Sequence, residues 1–261
     1  MREFKNMLKL FARNIFSLGI NFKDLFNVIY LPKFLKQLVQ WKISGGSIDG
    51  IYINLGDYNE SAGTGKGHYF HQDLKVANEI FLNQPSKHLD IGSRIDGFVA
   101  HVASFMKITV GDVRPLEIKN HPNINFINLD MMASQKIDRF PSVSCLHALE
   151  HFGMGRYNDP INPRGSEEGF RNLCELVEEG GRLYVSHPIS HSPKILFNAH
   201  RILPIDFTCK LIGSDFTLVK FFVIDDAGEL YCLSIEDCMM NMQLNYGCGI
   251  YIYEKVNRVD G

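Results

Sequence analysis

The sequence predicts an α/β fold: a seven-stranded, mostly parallel sheet preceded by an N-terminal helical segment. Three observations support this prediction. From about residue 75, short apolar runs alternate with helical patterns, and acidic residues follow three consecutive strands. The composition, 45% hydrophobic and 21% charged over 261 residues, is that of a globular protein with one large domain or one domain and an appendage.

Periodicity and flanking turns place the individual elements. Apolar runs bounded by turn-forming residues predict seven strands, at residues 88–91, 108–112, 124–128, 143–146, 182–187, 217–224 and 249–254. Helical spacing predicts helices at residues 73–82, 97–105 and 167–178. Gly180 and Gly181 are expected to end the last of these helices, because glycine commonly follows a helix C-terminus.

Residues 1–50 form a basic segment that differs from the domain predicted at residues 51–261. The charge is +6 up to residue 42 and −8 in the remainder. Apolar residues at helical spacing predict two or three amphipathic helices ending near Gly45 and Gly46; these residues are Phe4, Met7, Leu8, Leu10, Phe11, Ile15 and Leu18. We expect a helical lid or a dimerisation element, or else peripheral contact with an anionic membrane surface.

Charge and cysteine content exclude several classes of protein. With 27 Lys and Arg against 29 Asp and Glu, the net charge of −2 provides no overall positive field, so no nucleic-acid partner is expected. No run approaches the roughly 18 apolar residues of a spanning helix. The cysteines form no CxxC pair, which indicates neither a zinc ribbon nor a disulfide framework. We therefore expect a cytoplasmic protein with reduced cysteines.

The first predicted strand ends in an acid, Asp90, and a glycine turn at Gly92, a pattern that lets backbone approach a ligand closely. The second strand ends at Asp112, where an acid can accept both hydroxyls of a ribose. The third is followed by Asp130 and Met131, which suit the amino group and ring face of adenine. One such acid alone would indicate only a turn. Acids at three consecutive strand ends predict a nucleoside-binding crevice.

The chain resembles class I S-adenosylmethionine-dependent methyltransferases over residues 85–255. The resemblance lies in five segments in this order: LDIGSRIDGF, VGDVRP, NINFINLDMM, SVSCLHALEHFG and LCELVEEGGRLYVSHP. More narrowly, the chain looks like a bacterial family of unknown function that is linked to surface-polysaccharide gene clusters. The segments that carry this narrower resemblance are GHYFHQDLKVANEIF, LDIGSRIDGFVAHVASF, DVRPLE, LHALEHFGMGRYNDPINP and FNAHRILP. A nucleotide-binding fold of another kind is the alternative.

The resemblance implies a Rossmann-like methyltransferase fold, with the last strand of the sheet antiparallel, that binds S-adenosyl-L-methionine. Asp90 and Gly92 are then expected at the methionine end of this donor, Asp112 at its ribose, and Asp130 with Met131 at its adenine. Related methyltransferases usually have a second glycine two residues after the first.

Arg94 occupies that position here, so it either alters the turn or pairs with the donor carboxylate. The segment at residues 67–73 supplies Tyr69 and Gln72, which either close on the donor or only begin a helix. Four arginines would suit an anionic acceptor, namely Arg114, Arg156, Arg164 and Arg201.

A histidine-rich segment follows the fourth strand, and its spacing places His147, Glu150 and His151 on one face of a helical turn. With His200, these residues are candidate ligands for Mg²⁺ or Mn²⁺, because the segment is similar to the metal site of certain O-methyltransferases. Two alternatives are a metal-free general base, His151, and simple hydrogen bonding within the loop. His-x-x-Glu-His also occurs in inverted zinc peptidases, which would need a long helix here.

The predicted function is that of an O-methyltransferase dependent on S-adenosyl-L-methionine. Its expected acceptor is a small anionic or sugar compound, a precursor or decoration of a surface (capsular) polysaccharide, methylated at a sugar hydroxyl or at a phosphoramidate or phosphoryl oxygen. A non-catalytic nucleoside-binding module and an RNA ribose methyltransferase are the alternatives. The latter should show a basic stripe, whereas residues 85–255 have few clustered Lys and Arg.

Overall fold

The structure, a computed structural model, describes residues 26–116, 121–133 and 137–256. The described chain divides between Thr64 and Gly65 into two compact units. The helices predicted from residues 4–18 lie outside the described residues. In the described part of the chain, no helix has both the length and the apolar character needed to cross a bilayer.

The first unit contains helix α1, Leu31–Ile43, which follows a 3₁₀ turn at Asn27–Tyr30. Pro32 lies in the first turn of α1, where its missing amide hydrogen costs no hydrogen bond. The helix ends just before Gly45 and Gly46, as the sequence predicts, and none of its residues is buried.

The second unit is built on one sheet of eight strands. Its strands are β1 His88–Ile91, β2 Ile108–Asp112, β3 Ile124–Asn128, β4 Phe140–Leu146, β5 Val177–Ile189, β8 Phe216–Ile224, β9 Leu230–Cys232 and β10 Gly247–Lys255. A separate antiparallel pair consists of β6 Lys194–Leu196 and β7 His200–Ile202. The strand order of the main sheet is β3-β2-β1-β4-β5-β10-β8-β9.

The topology confirms the predicted α/β class. Strands β1 to β5 are mutually parallel, and β10 runs antiparallel to both of its neighbours. The predicted count of seven strands is one short, because β9 adds an antiparallel edge strand beside β8. This strand has only three residues and returns directly from a turn at residues 225–229, which gives it too little periodicity for detection.

Helices cover the two faces of the sheet. They are α2 His68–Asn83, α3 Ala100–Ala103, α4 Gly165–Glu175, α5 Phe207–Leu211 and α6 Ile235–Asn241. One apolar cluster joins residues of α2 and α3, including Ile80 and Val102, to one face. A second joins residues of α4 and α6, including Phe170 and Cys238, to the other face. Burial on both faces matches the near-continuous apolar runs of the central strands.

Two predicted helices differ from those observed. The helix predicted at residues 97–105 begins earlier, with a π-helical turn at Ile95–Val99 that is kinked at Gly97 before α3 starts. The helix predicted at residues 167–178 ends at Glu175, and β5 then runs through Gly180 and Gly181. These glycines therefore do not end a helix. They lie near an irregularity in the pairing of β5 with β4, where Gly180 adopts a φ of +71°.

The order of the strands determines the position of the crevice. From β1 the chain proceeds outward through β2 and β3, and then returns to add β4 and β5 on the other side of β1. In open α/β sheets, ligands bind at the carboxyl ends of the strands where the direction of strand addition reverses. The predicted acids and the histidine segment all follow these strand ends.

Candidate active site

The turn after β1 brings backbone close to the crevice. Gly92 has a φ of +74°, a conformation that favours glycine, and its amide donates to the carbonyl of Gly111 at 3.0 Å. A Cβ added to Gly92 would lie 3.0 Å from the Cβ of Ala148, so the space beside the turn is narrow. Glycine is therefore required both by backbone conformation and by close packing.

The acid of this turn, Asp90, shapes the turn and does not line the crevice. It is fully buried, and its oxygens accept hydrogen bonds from the Ser93 amide at 3.2 Å, the Ser93 hydroxyl at 2.8 Å and the Ser144 hydroxyl at 2.5 Å. Burial raises the pKa of Asp90 to about 7, although the serine hydrogen bonds oppose this shift. Direct contact of Asp90 with the donor, expected from the resemblance, is not supported by this position.

A first cavity of about 550 Å³ lies over the ends of β1 to β4. Four of the predicted donor-binding residues line it, namely Gly92, Asp112, Asp130 and Met131. Met131 is 5% exposed and contributes apolar surface, while Asp130 accepts a hydrogen bond from the Met132 amide at 2.9 Å. These four residues, which follow separate strands, therefore surround one cavity, and their contact with a donor stays a prediction.

Asp112 has a partner that the sequence did not reveal. Its two carboxylate oxygens accept hydrogen bonds from Nε and Nη2 of Arg114, at 3.0 and 2.6 Å. The guanidinium of Arg114 also lies 4.4 Å from the ring centre of Tyr157. Oδ1 also accepts from the Arg114 amide at 2.8 Å, so the remaining acceptor site of Asp112 lies on Oδ2, where a ribose hydroxyl could donate.

A second, more polar cavity of about 970 Å³ adjoins the first. The two share five residues, namely Gly92, Arg114, His147, His151 and Tyr157. The second cavity is also lined by seven further polar side chains, those of Tyr69, Ser93, Arg94, Glu150, Arg156, His200 and Tyr246. Two adjoining chambers with the histidine segment in their common wall are suited to a reaction between two bound molecules.

His147 does not begin a helical turn, contrary to the sequence prediction. It has a φ of +50°, and the 3₁₀ turn that follows contains only Leu149–His151. Nδ1 of His147 nevertheless lies 2.7 Å from Oε1 of Glu150. Burial would lower the pKa of His147, but the facing Cys248 and Glu150 raise it to about 10. His147 and Glu150 therefore form a buried ion pair.

His151 differs from His147 in its protonation. Its side chain is 12% exposed, and Nε2 lies 3.9 Å from Oε1 of Glu150. Burial lowers the pKa of His151, and Arg156 and His200 lower it further against the opposing charge of Glu150. His151 is consequently neutral at pH 7 and can accept a proton.

The predicted Mg²⁺ or Mn²⁺ ligands do not converge. Within the described residues, only His68, His147 and Cys248 form a trio of His, Cys, Asp or Glu side chains whose donor atoms all lie within 4.8 Å of one another. The expected ligands His147, Glu150, His151 and His200 therefore do not form such a site. Mg²⁺ also prefers oxygen ligands, and only one of these four residues supplies them. The described geometry therefore does not support this metal site.

The other predicted donor contacts differ in position, because two of them line the second cavity and one lies in the core. Tyr69 lines the second cavity, its ring centre lies 5.0 Å from that of His147, and burial raises its pKa to about 12. Gln72 is 1% exposed and bonds to Ser186 and Asp73, so it supports the core and lines neither cavity. Arg94 lines the second cavity, with its guanidinium bound by both oxygens of Asp96.

The four arginines proposed for an anionic acceptor have different surroundings. Only Arg114 and Arg156 line the second cavity. Arg201 is buried and donates to backbone carbonyls, including that of Phe152 at 2.7 Å, and thereby holds the loop after the histidine segment. Arg164 is exposed and pairs with Glu168. Arg201 and Arg164 are therefore structural residues.

Sequence reasoning missed several residues of this region. His68 stacks on His147 with 5.2 Å between ring centres, and Tyr246 stacks on His68 at 5.1 Å. The ring of Tyr157 meets His151 edge-on at 5.6 Å. His68 lies in the quoted segment GHYFHQD, so a signal for it existed. Tyr246 precedes an apolar strand, and no local signal distinguishes it from a core residue.

The loop that bears Tyr157 depends on Asp159, whose carboxylate accepts hydrogen bonds from the amides of Gly153, Gly155 and Tyr157 at 2.8 to 3.3 Å. Both glycines have a positive φ, of +76° and +69°. A side chain at either position would therefore be strained.

We expect Gly153→Ala to lower the free energy of unfolding far more than Gly155→Ala. At Gly153 the added Cβ would overlap the backbone carbonyl of Asn162, whereas at Gly155 it would lie 2.6 Å from Cδ1 of Ile161, the end of a flexible side chain. Gly155→Ala should cost about 1–2 kcal/mol and Gly153→Ala roughly 3 kcal/mol or more. Urea denaturation of both variants measures the difference, and equal losses would contradict this account of the loop.

Comparison with solved structures identifies the fold. The chain is similar to the N-methyltransferase NodS from Bradyrhizobium japonicum WM9, at 12% identity and a TM-score of 0.52, with 74% of this chain and 100% of NodS covered. NodS in complex with S-adenosyl-L-homocysteine gives 12% identity and a TM-score of 0.50, with 72% and 88% covered. The [4+2]-cyclase SpnF gives 12% identity and a TM-score of 0.51, with 85% and 93% covered.

The chain thus has the Rossmann-like fold of class I S-adenosylmethionine-dependent methyltransferases. A family profile described as "Caenorhabditis protein of unknown function, DUF268" matches residues 106–241, just over half of the chain. The protein belongs to this DUF268 family. No curated protein matches it by sequence. The family description names Caenorhabditis, so the predicted bacterial family and its link to polysaccharide genes stay predictions.

Proposed function

We propose that this protein is an S-adenosyl-L-methionine-dependent O-methyltransferase. The observation that carries the proposal is the pair of adjoining cavities, which share His147 and His151. One cavity offers acidic and apolar groups at the ends of three strands, and the other offers tyrosine, histidine and arginine side chains. A donor and an acceptor bound in these chambers would meet beside His151.

The first cavity fits the proposed donor in the chemistry of the residues that line it. Asp112 would accept hydrogen bonds from the ribose, Asp130 would accept one from the adenine amino group, and Met131 would contact the ring. The turn at Gly92, which lines both cavities, would lie beside the methionine part of the donor. S-adenosyl-L-methionine, when bound, supplies an electrophilic methyl group.

The residues of the common wall would perform the proton chemistry. His151 is neutral because burial lowers its pKa, so it can take the proton of an acceptor hydroxyl. Glu150 orients His147 through its 2.7 Å contact with Nδ1. Beyond this proton transfer, the enzyme would act mainly by aligning the two bound molecules.

The second cavity supports a polar acceptor of low molecular weight. It offers hydrogen-bond donors and acceptors together with the guanidinium groups of Arg114 and Arg156. These groups would suit a sugar hydroxyl or a phosphoryl-type oxygen. From the resemblance described above, we propose that the acceptor is a precursor or decoration of a surface polysaccharide. We further propose that the basic N-terminal segment contacts an anionic membrane and that the protein acts in the cytoplasm.

Donor binding and methyl transfer require separate tests, because SpnF, to which this fold is similar, is a [4+2]-cyclase. We expect S-adenosyl-L-homocysteine to bind the purified full chain with a stoichiometry of one in titration calorimetry and to raise its melting temperature. Transfer is measured with methyl-labelled donor and a panel of sugars, sugar phosphates and phosphoramidates. Absence of binding at saturating nucleoside would refute the proposal, and binding without transfer to any acceptor would favour a non-catalytic module.

A further inference from the structure

Three potential metal ligands from separate parts of the second unit meet beside the common wall of the two cavities. His68 is the first residue of α2, His147 follows β4, and Cys248 lies in β10. Their donor atoms lie within 4.8 Å of one another, and no other such trio occurs among the residues that the structure describes. None of these positions is a sequence neighbour of another, so the tertiary fold alone creates the cluster.

The orientation of His147 is suited to a metal ligand. Its Nδ1 faces Oε1 of Glu150 at 2.7 Å, and its Nε2 is buried without a hydrogen-bond partner in the described part of the chain. Glu150 is 1% exposed. A carboxylate bound to one ring nitrogen, with the other nitrogen directed at the ion, is the usual arrangement of a metal-bound histidine.

The other two side chains complete a set of nitrogen and sulfur donors. Cys248 is fully buried and reduced, and its Sγ faces His147 and makes a long 3.7 Å contact with the carbonyl of Gly249. His68 is partly exposed, and its ring stacks on that of His147. Two imidazoles and a thiolate are ligands that favour Zn²⁺ over Mg²⁺ or Mn²⁺.

We propose that His68, His147 and Cys248 bind a zinc ion, with Glu150 orienting His147. Three protein ligands would leave a fourth position for water or for an acceptor oxygen, as in catalytic zinc sites. Bond lengths of about 2.0–2.1 Å to nitrogen and about 2.3 Å to sulfur imply donor separations of about 3.3–3.7 Å. The donor atoms would therefore approach by at most about 1.5 Å. The ring of His68, which stacks on that of His147, would also rotate toward the ion on binding.

Metal binding by the full chain tests this proposal without any activity assay. After removal of metal with a chelator, we expect one Zn²⁺ per chain in titration calorimetry. Co²⁺ should give the visible bands of a tetrahedral site together with a sulfur-to-cobalt charge-transfer band in the near ultraviolet. Cys248→Ser should abolish the charge-transfer band, and His68→Ala should weaken Zn²⁺ binding at least tenfold. Glu150→Gln should weaken it roughly 10- to 100-fold but leave the band in place.

Cys238→Ser is the matched control, because Cys238 is also fully buried but lies in α6, outside the trio. The Cys238→Ser variant should still bind one Zn²⁺ per chain and, with Co²⁺, should still show the charge-transfer band. Melting curves without metal establish whether each variant folds. If Cys248→Ser does not fold, His68→Ala provides the test. Much less than one Zn²⁺ per chain, a cobalt spectrum without charge transfer, or equal losses in Cys238→Ser would overturn the proposal. Donor binding is measured separately, so failure of the zinc site leaves the proposed methyl transfer untouched.

Discussion

Asp112→Ala should reduce the affinity for S-adenosyl-L-homocysteine at least 100-fold in titration calorimetry. In the proposed complex the carboxylate of Asp112 accepts hydrogen bonds from the ribose hydroxyls, and a hydrogen bond to a charged group contributes about 1.5–3 kcal/mol. A 100-fold loss corresponds to about 2.8 kcal/mol, which the loss of one or two such bonds supplies. Asp112 lines the first cavity at the end of β2.

Asp96→Ala is a close control for this measurement. Asp96, like Asp112, binds an arginine two residues away through both carboxylate oxygens. It does not line the first cavity, however, and its side chain is 72% exposed. The affinity of Asp96→Ala should stay within about twofold of the wild type. If Asp112→Ala bound the nucleoside as tightly as this control, the assignment of the first cavity to the donor would be wrong.

His151→Ala should lower kcat by roughly 10²- to 10⁴-fold while changing donor affinity by less than about threefold. His151 lies in the wall shared by the two cavities and acts in the proposal on the acceptor proton, so donor binding does not need it. His191→Ala is the control, because His191 is exposed and its Nε2 contacts the backbone carbonyl of Met239. A parallel loss of turnover and donor affinity in His151→Ala would assign this residue to binding.

The pH profile gives a second test of the same role. Burial lowers the pKa of His151 from its usual 6.5, so the neutral base is present at pH 7 and is lost as the pH falls through this lowered value. The kcat of the wild type should therefore decline only on the acidic side, below pH 6.5. The residual activity of His151→Ala should lack this acidic limb. An unchanged limb in the variant would mean that another group titrates.

Much of the crevice could be predicted from residues close together in the sequence. The acid and glycine after β1, Asp112 at the end of β2, and Asp130 with Met131 after β3 each follow an apolar run. Parallel strands end at the same edge of the sheet, so these local patterns were sufficient to bring the residues to one cavity. The predictions for Asp90, Gln72 and His147, however, depended on the direction in which each side chain points. Local sequence patterns do not contain this information.

The direction in which a side chain points near the end of a strand depends on individual backbone angles and on neighbours that are distant in sequence. Asp90 turns inward because Ser144, on the neighbouring strand β4, supplies a buried hydroxyl. Gln72 bonds to Ser186, and the two residues are 114 positions apart. The helical turn expected from His147 to His151 fails because His147 has a φ of +50°. No spacing rule carries this information, so the sequence could not show that His147 lies near His68 and Cys248 rather than near all of the predicted metal ligands.

The sequence by itself determined the α/β class, the parallel strands, the glycine turn and the acids that line the first cavity, because each of these follows from local periodicity and turn chemistry. The tertiary structure decided which side chains face the cavities, that Arg201 holds a loop, and that His68 and Cys248 meet His147. These outcomes depend on contacts between α2, β4 and β10, elements distant in sequence that become neighbours only when the sheet and its helices pack together.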